Sequence, residues 1–299
     1  MRILHVDTGK AMRGGQWQAF RLMERLDAAG VESTLLARQG GPLLEAARQR
    51  GLPAEPLGWA LLAGLARKHD LVHTHDARAH TMAAAVAGGR MPLVVSRRVA
   101  FPVRPGIISG WKYSRATRYL AVSEHVRRVL GEGGVAADKV TVVYDGVPLL
   151  PPTEGTRVVT PADGGDPQKG AALAVEAGRR AGVRVEVSTR LEEDLRSSGI
   201  LVYLTRSEGL GSGALLGMSA AVAVVASDVG GLREAIEHRV SGMLVENSPN
   251  AVADAIRELT GHPESARSLG TVARRRVSER FTVDRMALET MEVYRQVLS

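Results

Sequence analysis

Residues 200–237 constrain the fold of this chain more than any other stretch. Ile200-Leu201-Val202-Tyr203-Leu204 is an apolar run of strand length, and glycines 209, 211 and 213 follow directly. The small residues of Ala214–Ala220 then read as a helix, and Ala221–Ala226 as a strand of the fully buried type. Gly230-Gly231 opens a further helical segment. Strand, glycine loop and helix N-terminus is the arrangement in which backbone N–H groups and the helix dipole face an anion. Glu208, at the mouth of the loop, is unsuited to a phosphate but suited to accepting hydrogen bonds from hydroxyls, which suggests a sugar phosphate. A plain βα turn of an α/β domain is the alternative reading.

The same alternation runs through the rest of the chain. Arg2–Asp7, Glu32–Ala37, Asp70–Thr74, Pro92–Ser96, Arg118–Val122 and Lys139–Tyr144 read as strands. Helices are expected at Trp17–Ala29, Pro42–Arg50, Ala60–Lys68 and Glu124–Gly131, the last with Ser123 as its N-cap. Leu149–Gly155, with two prolines and a glycine, reads as a linker. Beyond it come strands Arg157–Thr160, Val183–Val187 and Gly242–Val245, and helices Ala171–Ala181, Pro249–Leu259, Pro263–Arg276 and Val283–Val297. A length of 299 residues suits two α/β domains of about 150 residues each.

Charge divides unevenly. Residues 1–150 carry 21 Lys and Arg against 12 Asp and Glu, whereas the remainder carries 18 against 20. Eight of the basic residues fall between Arg97 and Arg128, with Phe101, Trp111 and Tyr113 among them. That mixture suits an anionic membrane surface, or else a solvated helix face with some core aromatics. No nucleic-acid motif accompanies it, so nucleic acid is not an expected partner. Ile3–Val6 is too short for a secretory leader, and Leu215–Ala226 is far below the ~20 residues of a spanning helix. The absence of cysteine excludes disulfides and thiolate metal sites and fits the cytoplasm.

Several motifs are partial. Gly9–Gly14 matches the first half of a P-loop, but Gly15 and Gln16 stand where Lys and Ser or Thr are required. His73 and His75 lie on one side of a strand, with Asp76 and His80 following. A metal site is imaginable there; the stronger reading places His75 and Asp76 at the carboxyl edge of a parallel sheet, where ligands bind. Lys169 opens a helix, an unfavourable place for a cation by about 0.3–1 kcal/mol, which an anionic ligand would explain.

Ser207-Glu208-Gly209-Leu210-Gly211, Gly217-Met218, the apolar Val222–Ala226 and Asp228-Val229-Gly230-Gly231-Leu232-Arg233-Glu234 together resemble the signature of the family 4 retaining glycosyltransferases. The resemblance extends over nearly the whole chain. It implies the GT-B fold: an α/β architecture of two Rossmann-like domains whose parallel sheets face an interdomain cleft. Residues 1–150 would form the acceptor-side domain and 151–282 a shortened nucleotide-sugar domain, with the helix 283–299 crossing back to the first. The implied activity is metal-independent hexosyl transfer, with retention, from a nucleotide-sugar to a glycan or lipid-linked acceptor. Bacterial cell-surface polysaccharide or lipopolysaccharide assembly is the expected setting, in the cytoplasm or peripheral at the inner face of the membrane. No cofactor is expected.

Roles carry over by the same resemblance. Lys169 would hold the donor diphosphate, with the backbone of Gly209, Leu210, Gly211, Ser212 and Gly213. Glu208 would bind donor sugar hydroxyls. Gly14 and Gly15 would allow close approach of the donor. Arg13, Gln16, His75, Asp76 and Arg97 would face the acceptor. Arg98 stands where the family commonly has a histidine near the donor sugar; it would serve an anionic sugar or an acceptor phosphate, or the position has lost its usual role. Glu208, Lys169 and Arg98 form the expected catalytic set.

Other positions depart from the pattern. Leu216 replaces the second glutamate of E-x7-E, which normally accepts from the nucleotide ribose. Asp163 falls near the place of the diphosphate arginine. Asp145 and Pro148 alter the N-G-V-D turn, and a helix and strand that help to cradle the base are missing after Val187. A non-catalytic relative that binds glycan, lipid or a partner enzyme is the alternative function. A nucleotide-sugar epimerase is a third and weaker one.

Overall fold

The computed structural model describes residues 1–87, 89 and 91–299. It divides into two compact units, Met1–Asp145 with Val283–Ser299, and Gly146–Thr282.

The first unit is a parallel sheet of seven strands: β1 (Arg2–Val6), β2 (Glu32–Ala37), β3 (Ala54–Pro56), β4 (Leu71–Thr74), β5 (Leu93–Arg97), β6 (Arg118–Ala121) and β7 (Val140–Val142). Their spatial order is β3-β2-β1-β4-β5-β6-β7. Connecting helices cover both faces, which is why Ile3, Leu4, Leu35, Leu36, Leu71 and Val94 are all buried in unbroken apolar runs. The helix Val283–Leu298 belongs to this unit and joins the core through Met286, Met291 and Tyr294, packed with Leu22 and Leu26 of the helix Gly14–Ala28.

Element boundaries differ from expectation at two places that matter. The first helix begins at Gly14 rather than Trp17, so Gly14, Gly15 and Gln16 form its first turn instead of a loop. A helix at Ile107–Ser114 was not anticipated, because none of its residues is buried and no apolar stripe marks it.

The second unit is a parallel sheet of five strands: β8 (Arg157–Pro161), β9 (Val185–Ser188), β10 (Ser198–Tyr203), β11 (Ala223–Ser227) and β12 (Met243–Val245), in the order β12-β11-β10-β8-β9. Between β9 and β10 lie only the four-residue helix Leu191–Asp194 and a single 3-10 turn. The helices Ala171–Ala181 and Pro249–Gly261 bury Ala174, Ala177, Val252 and Ile256 against Val158, Ile200, Val202 and Val225 of the sheet.

Strand order reverses once in each sheet, between β1 and β4 and between β8 and β10. At such a point the two loops leaving the carboxyl ends of the neighbouring strands turn to opposite faces and leave a crevice where α/β proteins bind ligands. Among the described residues no helix is long and apolar enough to cross a membrane.

Candidate functional site

The β8 and β10 loops of the second unit bring Lys169 and Glu208 together from positions 39 residues apart. Lys169 Nζ lies 2.8 Å from Glu208 Oε2. The Tyr203 hydroxyl, at the end of β10, donates to the same oxygen at 2.7 Å and lies 3.2 Å from the ammonium. The Gly209 N–H donates to Glu208 Oε1 at 3.2 Å. Burial, followed by the Glu208 charge, raises the Tyr203 pKa well above its ordinary value, so its hydroxyl remains a donor.

Backbone geometry shapes the loop that follows. Gly211 adopts φ +100° immediately before the helix Ser212–Ser219, a conformation that L side chains rarely take. Gly231 presses on the loop from the next βα turn: a Cβ there would sit 1.8 Å from the Gly209 carbonyl oxygen, and its N–H donates to the Glu208 carbonyl at 3.1 Å. The first N–H groups of the helix Ser212–Ser219, on Ser212 and Gly213, have no intrahelical acceptor. Leu210 has its side chain buried, so only its main chain is available to a ligand. Leu216 lies one turn into the helix, half-buried and without a polar group.

Asp163, at the position where an arginine was expected, accepts the Ala171 N–H at 2.9 Å and so caps the helix Ala171–Ala181. Sequence reasoning also missed Tyr203, which was read only as an apolar strand residue, although a tyrosine ending a strand beside a glycine loop was a usable signal.

In the first unit the crevice between β1 and β4 gathers the remaining candidates. Asp7 is buried; its carboxylate accepts the Gly9 N–H at 2.7 Å and the Gln16 amide at 3.1 and 3.2 Å. Burial and the neighbouring Asp76 raise its pKa. Asp76 accepts from the Thr8 N–H and hydroxyl, and from the N–H groups of Arg78 and Ala79 at 2.8 and 2.9 Å, so it caps the helix Ala77–Ala87. Gln16 and Asp76 are thus bound to the protein's own groups. Arg13 and Gly14 are exposed at the helix start, and Gly15 lies beside the Arg98 side chain, 3.9 Å from its Cδ to a built Cβ. Arg97 donates to the Phe101 carbonyl.

Arg98 is nine-tenths enclosed. Its Nε donates to Asp145 Oδ1 at 2.9 Å, with 12% and 11% of the two side chains exposed, and its NH1 lies 3.3 Å from His75 Nδ1. The Asp145 carboxylate thereby balances the charge of Arg98. A small pocket adjoins this pair, lined by Ser96, Met286 and Thr290.

His5, His73 and His75 cluster behind Arg98 with one ring nitrogen each within 4.8 Å of the others. A guanidinium can only donate, so His75 Nδ1 accepts from Arg98 and its Nε2–H donates to His5 Nδ1 at 2.9 Å. His73 is bound by the Tyr294 hydroxyl at 2.6 Å and the Ser96 hydroxyl at 2.8 Å. A metal ion here would break these bonds and sit against a guanidinium, so the donor set fits a hydrogen-bonded core better than a metal centre. Burial lowers the pKa of all three, that of His5 to about 3.

The model of Glycosyltransferase Family 4 matches residues 12–149, and that of Glycosyl transferases group 1 matches residues 134–262. The chain belongs to the family 4 glycosyltransferases.

Alpha-maltose-1-phosphate synthase of Mycolicibacterium smegmatis is 35% identical over 115 residues, which are 36% of this chain and 30% of that protein. A D-inositol 3-phosphate glycosyltransferase of Streptomyces griseus is 31% identical over 159 residues, 50% of this chain and 34% of that protein. The chain therefore matches about a third of the length of these curated relatives. Among solved structures, Anabaena HepE in complex with UDP and glucose superposes with a TM-score of 0.86 at 17% identity, covering 99% of this chain and 100% of that one. The fold of this glycosyltransferase chain is GT-B, with two parallel sheets as expected from the sequence.

Proposed function

We propose that this family 4 glycosyltransferase moves a hexosyl group from a nucleotide-sugar to a glycan or lipid-linked acceptor with retention of anomeric configuration. The observation that carries the reading is the Lys169–Glu208 pair at the β8/β10 switch point, on the glycine loop that leads into the helix Ser212–Ser219. Lys169 and the amides of the 209–213 loop would stabilise the charge that develops on the departing diphosphate. Glu208 would accept hydrogen bonds from sugar hydroxyls. The leaving diphosphate would assist attack from its own face, so no protein nucleophile and no metal is needed. Arg98 would act by holding His75 and Asp145 in place, since its Nε is engaged by Asp145 and one terminal nitrogen by His75.

With Leu216 in place of a carboxylate, the ribose would be held without a charged acceptor. That one substitution supports the second reading, a module that binds glycan, lipid or a partner enzyme without turnover.

Assembly of bacterial cell-surface polysaccharide or lipopolysaccharide at the cytoplasmic face of the membrane is the setting we propose. The exposed Ile107 and Ile108, 93% and 79% accessible, support it, with Trp111 on the same helix and Arg104, Lys112 and Arg115 nearby. Apolar side chains ringed by cations suit an anionic bilayer.

HepE is solved with UDP and with UDP-glucose, which makes UDP the first base to try. Calorimetric titration with UDP-, GDP- and ADP-glucose tests the enzyme reading. We expect one donor to bind, Lys169→Ala to weaken it and Glu208→Ala to abolish turnover. No binding by any of the three at millimolar concentration would refute it.

A further inference from the structure

We infer that Tyr203 is a positioning residue that fixes the Glu208 carboxylate for the donor sugar, independently of Lys169. The inference rests on the donor reading above.

Glu208 Oε2 has two partners, the Tyr203 hydroxyl at 2.7 Å and the Lys169 ammonium at 2.8 Å. They differ in freedom. Tyr203 ends a central strand, is buried, and has two side-chain torsions set by packing. Its ring edge lies under the glycine loop, where a Cβ on Gly213 would come within 2.7 Å of Cε2. Lys169 reaches the carboxylate on a flexible four-carbon stem from a loop, with its ammonium 5.1 Å from the centre of the tyrosine ring.

A diphosphate arriving at the N-terminus of the helix Ser212–Ser219 offers Lys169 a stronger partner than a carboxylate already shared with a phenol. When Lys169 turns to it, Glu208 would lose one of its two Oε2 partners. The Tyr203 hydroxyl remains, together with the Gly209 N–H on Oε1. The carboxylate therefore stays aimed, with lone pairs released to receive sugar hydroxyls. Diphosphate capture and sugar recognition are coupled through one oxygen, and the phenol keeps the second from collapsing when the first occurs.

The test separates the sugar from the nucleotide. Wild type, Tyr203→Phe and Lys169→Ala are titrated calorimetrically with UDP, GDP and ADP and with the glucose ester of each. Phenylalanine keeps the ring under Gly213 and removes only the hydroxyl. For the nucleotide that wild type binds, we expect Tyr203→Phe to raise the Kd of the sugar ester about tenfold, the loss of one hydrogen bond to a charged group, and that of the free diphosphate less than about twofold. Lys169→Ala should weaken both alike. The thermal midpoint of Tyr203→Phe is measured alongside and should stay within a few degrees. Equal weakening of both ligands by Tyr203→Phe, or weakening of neither, overturns the positioning role and leaves the donor site standing. Binding of no ligand by wild type overturns the donor reading and this inference with it.

Discussion

Acidification should unfold the first unit well before its carboxylates would. His5, His73, His75 and His80 are buried within it, each with its pKa lowered first by burial; a neighbouring histidine and then Arg98 add to this for the three clustered rings (His69 for His5, His5 for His73, His73 for His75), and Lys112 does so for His80. For His5 and His80 the value falls from 6.5 to about 3. A base whose folded pKa is depressed gives stability that is complete above the unfolded pKa near 6.5. That stability drains as pH falls towards the folded value, because only the unfolded chain takes up the proton.

Between pH 7.5 and 5 a histidine shifted from 6.5 to about 3 costs about 2 kcal/mol, so His5 and His80 together cost about 4, and His73 and His75 act in the same direction. A domain has roughly 5–15 kcal/mol in all. Asp7, with its raised pKa, opposes the trend but is a single group. All three tryptophans, Trp17, Trp59 and Trp111, lie in this unit, so their fluorescence reports its unfolding alone. Urea midpoints at pH 7.5, 6.5, 5.5 and 5.0 should move steadily down. His80→Phe, which preserves the ring packing on Tyr113 and Tyr119, should reduce the total loss by about 2 kcal/mol. A fall in unfolding free energy smaller than about 2 kcal/mol across the range would refute the claim that these rings are neutral and buried.

Three further outcomes follow from the geometry. Asp145→Ala should destabilise the first unit by about 3–5 kcal/mol by leaving Arg98 without its buried partner, and Arg98→Met on that background should restore much of the loss; denaturant titration of both variants checks this. Gly231→Ala forces a Cβ into the Gly209 carbonyl, so donor binding measured by calorimetry should fall at least tenfold while the first unit's tryptophan-monitored unfolding is unchanged. Ile107→Asp with Ile108→Asp should leave the melting point alone, since neither side chain is buried, and should abolish sedimentation with anionic vesicles.

Much of the site was legible because its chemistry is local in sequence. Glu208 and its glycines occupy one turn, and Lys169 was marked by an ammonium at a helix start. The turn at Gly209–Gly213 must follow a buried strand, and that order is written in the residues themselves. What sequence could not show were contacts with a neighbour far along the chain. Gln16 and Asp76 were read as facing a ligand; in the structure the Gln16 amide nitrogen donates to Asp7, and Asp76 accepts from Thr8 and from the N–H groups of Arg78 and Ala79. Asp163 was read as a lost arginine; its position shows a helix cap. The helix Ile107–Ser114 left no trace because periodicity records burial, and that helix buries nothing.

By itself, then, the sequence determined two parallel α/β sheets, the family, and the strand–loop–helix that would meet an anion, because alternation, glycine and apolar runs are properties of neighbouring residues. Only the tertiary structure decided that Tyr203 and Lys169 share one oxygen of Glu208, that Asp145 neutralises Arg98, and that three histidines from the neighbourhood of two strands cluster in a buried core. Those pairings arise beyond the carboxyl ends of parallel strands, and a parallel sheet brings together side chains from connections too long for any local pattern to encode.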